Sequence, residues 1–194
     1  MKILAFGDTH DDKKAFARAK EKAKQVDIAV CIGDLSVFQR DIDYFLKELN
    51  SFPVHVLLVH GNHEDLDSLK KQCEKYDNIF LIHDGFYKKD DVMFLGYGGG
   101  GFSTTDAYFE ERAKVYKQLT KGRTVFVLHQ PPYGKVDTLY DGSHVGNKSF
   151  TRFIEEVQPV LVICGHIHET FKEKGSIGES LVVNPGPDGL VLEI

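Results

Sequence analysis

The chain has 194 residues, 42% hydrophobic and 27% charged, the balance of an ordinary globular protein rather than a disordered, fibrous or membrane-spanning one. That length fits a single domain over residues 1–194 and leaves little room for a separate cap. The formal net charge of −5 argues against a protein that grips nucleic acid through a broad basic surface, while allowing a small anionic substrate.

The first apolar run, Lys2 to Phe6, is expected to be a strand and is too short for a signal peptide or a membrane span. A helix is expected over Lys13 to Lys24, where five lysines interleave with Ala15, Phe16, Ala19 and Ala23 and so mark a solvated face. Strand Ile28 to Ile32, helix Arg40 to Leu49, strand Val54 to Val59 and helix Asp65 to Tyr76 continue the alternation. A weaker strand at Ile79 to Ile82 precedes a hairpin around Tyr87 to Asp91, strand Val92 to Leu95 and helix Asp106 to Leu119. Strand Thr124 to Leu128, helix Ser149 to Val157 and strands Val160 to Cys164, Leu181 to Val183 and Leu190 to Ile194 follow. The last two strands, flanking the Asn184 to Gly189 segment, read as a hairpin or tight connection.

Strand alternating with helix is the α/β signature, and the nearly unbroken apolar strands indicate burial on both faces. From about residue 79 the shorter connections indicate a second sheet with mixed or antiparallel pairing. Cys31, Cys73 and Cys164 form no CxxC pair, which points to a reducing compartment and a cytoplasmic location.

Five apolar strands end in the same kind of loop: Gly7-Asp8-Thr9-His10, Gly33-Asp34, Gly61-Asn62-His63-Glu64, His129-Gln130 and Gly165-His166-Ile167-His168. In an α/β sheet such strand ends converge on one crevice. Asp8, His10, Asp34, Asn62, His63, His129, His166 and His168 are therefore expected to meet there. If the i and i+2 residues of an extended turn share a side, Asp8 pairs with His10 and His166 with His168. Carboxylate, amide oxygen and imidazole without thiolate suit Mn, Fe, Zn, Ni or Mg, and seven ligands suit two ions sharing a bridge.

This ordered set resembles the calcineurin-like metallophosphoesterase superfamily. The segment from His129 to Glu169 and the Val182 to Gly186 stretch are similar to a small, cap-less branch related to cyclic-nucleotide phosphodiesterases. The resemblance implies a four-layer α-β-β-α sandwich of two mixed sheets. It implies one metal on Asp8, His10, Asp34 and His168, and a second on Asn62, His129, His166 and the bridging Asp34. His63, outside both sets, would be the general acid or would hold an equatorial oxygen. The expected reaction is hydrolysis of a small phosphodiester or nucleotide by in-line attack of a metal-bridging hydroxide. A metal-dependent nuclease and a non-catalytic scaffold are the alternatives.

Gly33-Asp34 is followed by Leu35-Ser36-Val37-Phe38 rather than the Asp and Arg of the superfamily's serine/threonine phosphatases, which speaks against protein phosphatase activity. Two loops are candidates for the substrate side. Gly99 and Gly100, in the four-glycine run, offer an anion nest or a flexible loop. His144 offers a phosphate contact or is a satisfied loop histidine. Glu64 either orients a ligand histidine or opens the following helix, the latter favoured; His55, His60 and His83 are taken as structural or surface residues. Homo-oligomers are common in such compact domains.

Overall fold

The computed structural model describes residues 1–120 and 122–194. In its first sheet β1 (Lys2–Phe6), β2 (Ile28–Cys31), β3 (Val56–Leu58) and β4 (Ile79–Leu81) run parallel in chain order. The second sheet begins with β5 (Gly85–Lys89), antiparallel to β6 (Val92–Tyr97), which pairs in parallel with β7 (Arg123–Leu128) and then β8 (Leu161–Ile163). Beyond β8 lie β10 (Ser180–Val183), parallel to it, and β9 (Lys174–Ile177), an antiparallel edge. Finally β11 (Leu190–Glu193) returns to the first sheet and pairs antiparallel with β1. Both sheets are mixed, as the resemblance implies.

The strand period of two sorts the side chains into layers. Ile3, Ala5, Ile28, Val30 and Leu57 of the first sheet meet Phe94, Val125, Val127, Leu161 and Ile163 of the second in a dry core between the sheets. The alternate residues Leu4, Phe6, Ala29 and Cys31 face outward against α1 (Lys13–Lys22), α2 (Ile42–Asn50) and α3 (Leu66–Cys73). On the far side Phe126, Leu128 and Val162 pack on α4 (Ala107–Leu119) and α5 (Lys148–Val157). The order is therefore helix, sheet, sheet, helix, and each fully buried large apolar side chain contributes about 2 kcal/mol. Asp12, Asp65, Asp106 and Asn147 cap α1, α3, α4 and α5 by accepting amides of their first turns.

The Asn184 to Gly189 segment is not a hairpin: it carries the chain from the second sheet to the first. Apolar patterning shows that β10 and β11 face a core, but not which sheet each joins. β9 was not expected, because Lys-Gly-Ser-Ile has no alternation to read. All three cysteines are free and buried. Among the described residues no helix is long and apolar enough to cross a membrane.

The link from β4 to β5 is anchored by Asp84, which accepts from Arg112 Nε (2.6 Å), the Tyr108 hydroxyl (2.9 Å) and the Tyr116 hydroxyl. Burial works against its charge, but Tyr116, Arg112 and Tyr108 together outweigh it and hold the carboxyl below its usual range. A depressed carboxyl adds stability above its unfolded pKa, and loses it as pH falls through the folded one. Asp84→Asn is expected to lower stability at neutral pH by about 1–2 kcal/mol and to flatten the acid limb of the stability profile, read by urea unfolding from pH 7 downward. An acid limb identical to wild type would remove Asp84 from this role.

Candidate metal centre

Parallel pairing of β1, β2 and β3, and of β7 and β8, puts the loops after them at matching sheet ends. Backbone bonds join the loops: Asp8 N–H to Gly33 O (2.9 Å), His10 N–H to Asp34 O (3.0 Å) and Gly165 N–H to His129 O (2.8 Å). These loops are not extended. Asp8, His10, Asp34 and His166 have φ of 52°, 40°, 51° and 69°, the left-handed region. Each costs about 1 kcal/mol or more, and such strain clusters where function requires it. The loops curl instead of extending, and the curl brings Asp8 and His10 together with His168, which opens a 3-10 turn, His168–Thr170, whereas His166 groups with Asp34 and His129.

Ligand atoms of Asp8, His10 and His168 lie within 4.8 Å of one another, as do those of His10, Asp34 and His63, and those of Asp34, His129 and His166. Asp34 sits in the middle, its Oδ2 3.6 Å from His10 Nε2 and 3.5 Å from His129 Nε2. Asn62 Oδ1 is 3.0 Å from His129 Nε2. All seven expected ligands are brought together.

The donor chemistry fits cations. His129 Nδ1 must donate to the Ile32 carbonyl at 2.8 Å, and burial lowers the ring's pKa, so Nε2 carries a lone pair. That lone pair faces the Asp34 carboxylate and, as the amide is oriented, Asn62 Oδ1: acceptors facing acceptors, favourable around a positive ion. Asp8 Oδ1 and His166 Nε2 are buried without partners, and His10 Nε2 lies 3.1 Å from His168 Nε2. Burial and then the neighbouring Asp34 push the Asp8 carboxyl well up. Burial lowers His10, and takes His166 down to about 4 with help from His129. Neutral imidazoles beside carboxylates that are costly to ionise alone are the state that divalent cations stabilise. Gly61 and Gly165 admit this closeness, since a Cβ on either would collide with the Asp34 or Asp8 carboxylate.

Glu64 does not open α3, whose cap is Asp65, nor does it bond a histidine. It is buried and accepts the amides of Leu35 (2.8 Å), Asp34 (2.9 Å) and Gly61 (2.7 Å), bracing the two loops that carry Asp34 and Asn62. Burial, then Asp34, pushes its carboxyl up to about 7 against the pull of those amides. Glu64→Gln turns an NH2 toward an amide donor, so stability should drop by about 2 kcal/mol by urea unfolding. An unchanged midpoint would mean that the brace is dispensable.

Asn184 was not anticipated as a site residue. Fully buried, it donates to Ile167 O (2.9 Å) and Thr170 Oγ1 (3.0 Å), pinning the turn between His166 and His168. Its signal in the sequence was an Asn-Pro-Gly read only as a turn.

His63 hangs at the rim. Its backbone amide donates to Asp34 Oδ1 (2.9 Å), while its Nδ1 accepts the Phe38 amide (3.3 Å), so in the neutral ring Nε2 bears the proton.

The substrate-side candidates fare differently. Gly98 and Gly99 spend their amides on His83 Nδ1 (2.9 Å) and His60 O (2.7 Å), and a Cβ on either would strike His60. The Gly99 amide is thus already spent within the protein, and Gly98 and Gly99 make room for His60. Gly100, with φ of 98°, lies against Gln130. His144 pairs through Nδ1 with buried Asp137 (2.7 Å).

A fold of two mixed sheets with carboxylates and imidazoles gathered at their strand ends defines the metallophosphoesterase class. The chain belongs to the calcineurin-like phosphoesterase family, which it matches over residues 1–170. It is 25% identical over 191 residues to the UPF0046 protein K07C11.7 of Caenorhabditis elegans, covering 87% of this chain and 64% of that protein, so it spans less than two thirds of that relative's length. Its fold is similar to TT1561 of Thermus thermophilus, with a TM-score of 0.77, 20% identity, and 96% and 90% of the two chains covered. A dimetal phosphatase from Danio rerio superposes with a TM-score of 0.67 at 12% identity, covering 94% and 86%.

Proposed function

We propose that the chain hydrolyses small phosphodiesters or nucleotides, with two divalent ions, manganese foremost, held by the seven ligands described above. Asp8, His10, Asp34 and His168 would hold one ion and Asn62, His129, His166 and Asp34 the other. Such a pair supplies Lewis-acid clamping of the phosphoryl group and a nucleophile at neutral pH. The observation that carries the reading is Asp34 Oδ2, which stands between His10 Nε2 at 3.6 Å and His129 Nε2 at 3.5 Å. One carboxylate facing imidazoles of both sets is what a bridge requires.

The protein's own contribution is order and a proton. Glu64 and Asn184 fix the loops, so the ligands need little reorganisation. His63, whose Nδ1 lies against the Phe38 amide, has Nε2 left free, and we assign that nitrogen to proton donation toward the leaving alkoxide. The test is hydrolysis of bis-p-nitrophenyl phosphate beside p-nitrophenyl phosphate by metal-stripped protein given back Mn, Ni, Zn or Mg. Metal-dependent turnover favouring the diester supports the reading, and no turnover with two ions bound sinks it.

A further inference from the structure

Two large apolar rings stand in water beside the ligands. Phe38 is 79% exposed with its ring centroid 4.7 Å from that of His63, and Phe102 is 65% exposed with its centroid 4.9 Å from that of His166. Both exposures are unfavourable, yet both backbones are tied down. Phe38 sits in the left-handed region with φ of 49° and ψ of 45°, an expensive conformation for a bulky residue. Its amide is held by His63 Nδ1 (3.3 Å), and the preceding Val37 amide by Asp11 Oδ2 (3.4 Å). Next to Phe102, the Ser103 carbonyl accepts from Gln130 Nε2 (2.9 Å) and Asn147 Nδ2 (3.2 Å). Fixed backbones that present bare rings are preorganised for contact.

We propose that Phe38 and Phe102 are specificity residues that stack on a planar aromatic group, a nucleobase or aryl ring, ester-linked to the phosphoryl group. The proposal rests on the phosphoesterase reading above and narrows it. His63 groups with His10 and Asp34, and His166 with Asp34 and His129, so the two histidines belong to different ligand groups that share Asp34. The two rings therefore approach from different loops, where either ester arm of a diester can reach one of them. Any base or aryl ring offers a π-face, so stacking selects aromatic over alkyl esters without choosing one base.

The test is calorimetric binding of phenylphosphonate and methylphosphonate, anions that differ in the ring and are not hydrolysed, to the manganese-loaded protein. Wild type should prefer the phenyl anion by on the order of tenfold. Phe38→Ala and Phe102→Ala should each shrink that preference, their combination should abolish it, and Phe38→Tyr with Phe102→Tyr should keep it. If alanine unseats the turn, seen as lost manganese, Phe38→Leu and Phe102→Leu keep the bulk without the π-face and should still weaken the preference. Equal affinities in wild type, or a preference that survives in the double variant, overturn the stacking alone. Failure of both anions to bind, together with no metal-dependent ester turnover, overturns the phosphoesterase reading and the stacking with it.

Discussion

Asp34→Asn is expected to leave the protein folded but unable to hold a metal pair, with content measured by plasma mass spectrometry falling toward one ion or none. Asp34 Oδ2 faces His10 on one side and His129 on the other, so this single carboxylate serves both proposed ligand sets. Asparagine keeps one oxygen, loses the charge and turns an NH2 toward a position that must accept a cation. Turnover should fall on the order of a thousand-fold, beyond the ten- to hundred-fold typical of an outer-shell loss. The fold itself should hold, because the variant removes one of several buried negative charges that repel each other: the Asp34 charge helps to raise the Asp8 and Glu64 carboxyls. Two tightly bound ions in the variant would remove Asp34 as the bridge.

The second large effect concerns His63. His63→Ala should retain both ions, because the bond to Asp34 Oδ1 comes from the His63 backbone amide and survives the substitution. Its cost should follow the leaving group. For an alkyl ester, whose alkoxide needs a proton, turnover should drop by about 10²- to 10³-fold. For a p-nitrophenyl ester, whose phenolate leaves unaided, the loss should stay under about tenfold. A uniform loss across leaving groups would fit phosphoryl positioning instead of proton delivery. The geometry makes the distinction worthwhile, since a ring nitrogen of His63 lies within 4.8 Å of ligand atoms of His10 and Asp34.

Much of this was legible in the chain because strand ends in a parallel sheet carry their loops to one place. Each of the seven proposed ligands follows an apolar strand, and β1, β2, β3, β7 and β8 are all parallel-paired. The element boundaries were legible wherever hydrophobic runs were long. What the sequence concealed was backbone conformation and partnership. Nothing in Asp8-Thr9-His10 announces two left-handed residues: Asp and His enter that region more readily than most side chains, yet at only a small fraction of their positions. Glu64 resembled a helix opener because acidic residues favour first turns, whereas its partners lie about thirty residues back in the chain at Asp34 and Leu35. The four-glycine run offered an anion nest or a flexible loop, and the neighbour that takes up the Gly99 amide, His60, lies on another loop. Asn184 was hidden for the same reason, its bonds reaching back to Ile167 and Thr170.

The division of the ligands between the sheets has a consequence for how the protein is made. Asp8, His10, Asp34 and Asn62 follow strands of the first sheet, whereas His129, His166 and His168 follow strands of the second. A ribosome delivers the first group well before the second, and the early group is rich in oxygen and poor in nitrogen. On the proposed assignment neither sheet alone completes either set, so a nascent chain offers only a weak, hard site. On that assignment the completed sites would form only when the two sheets dock, so selection of the ion would fall at that moment and not during synthesis.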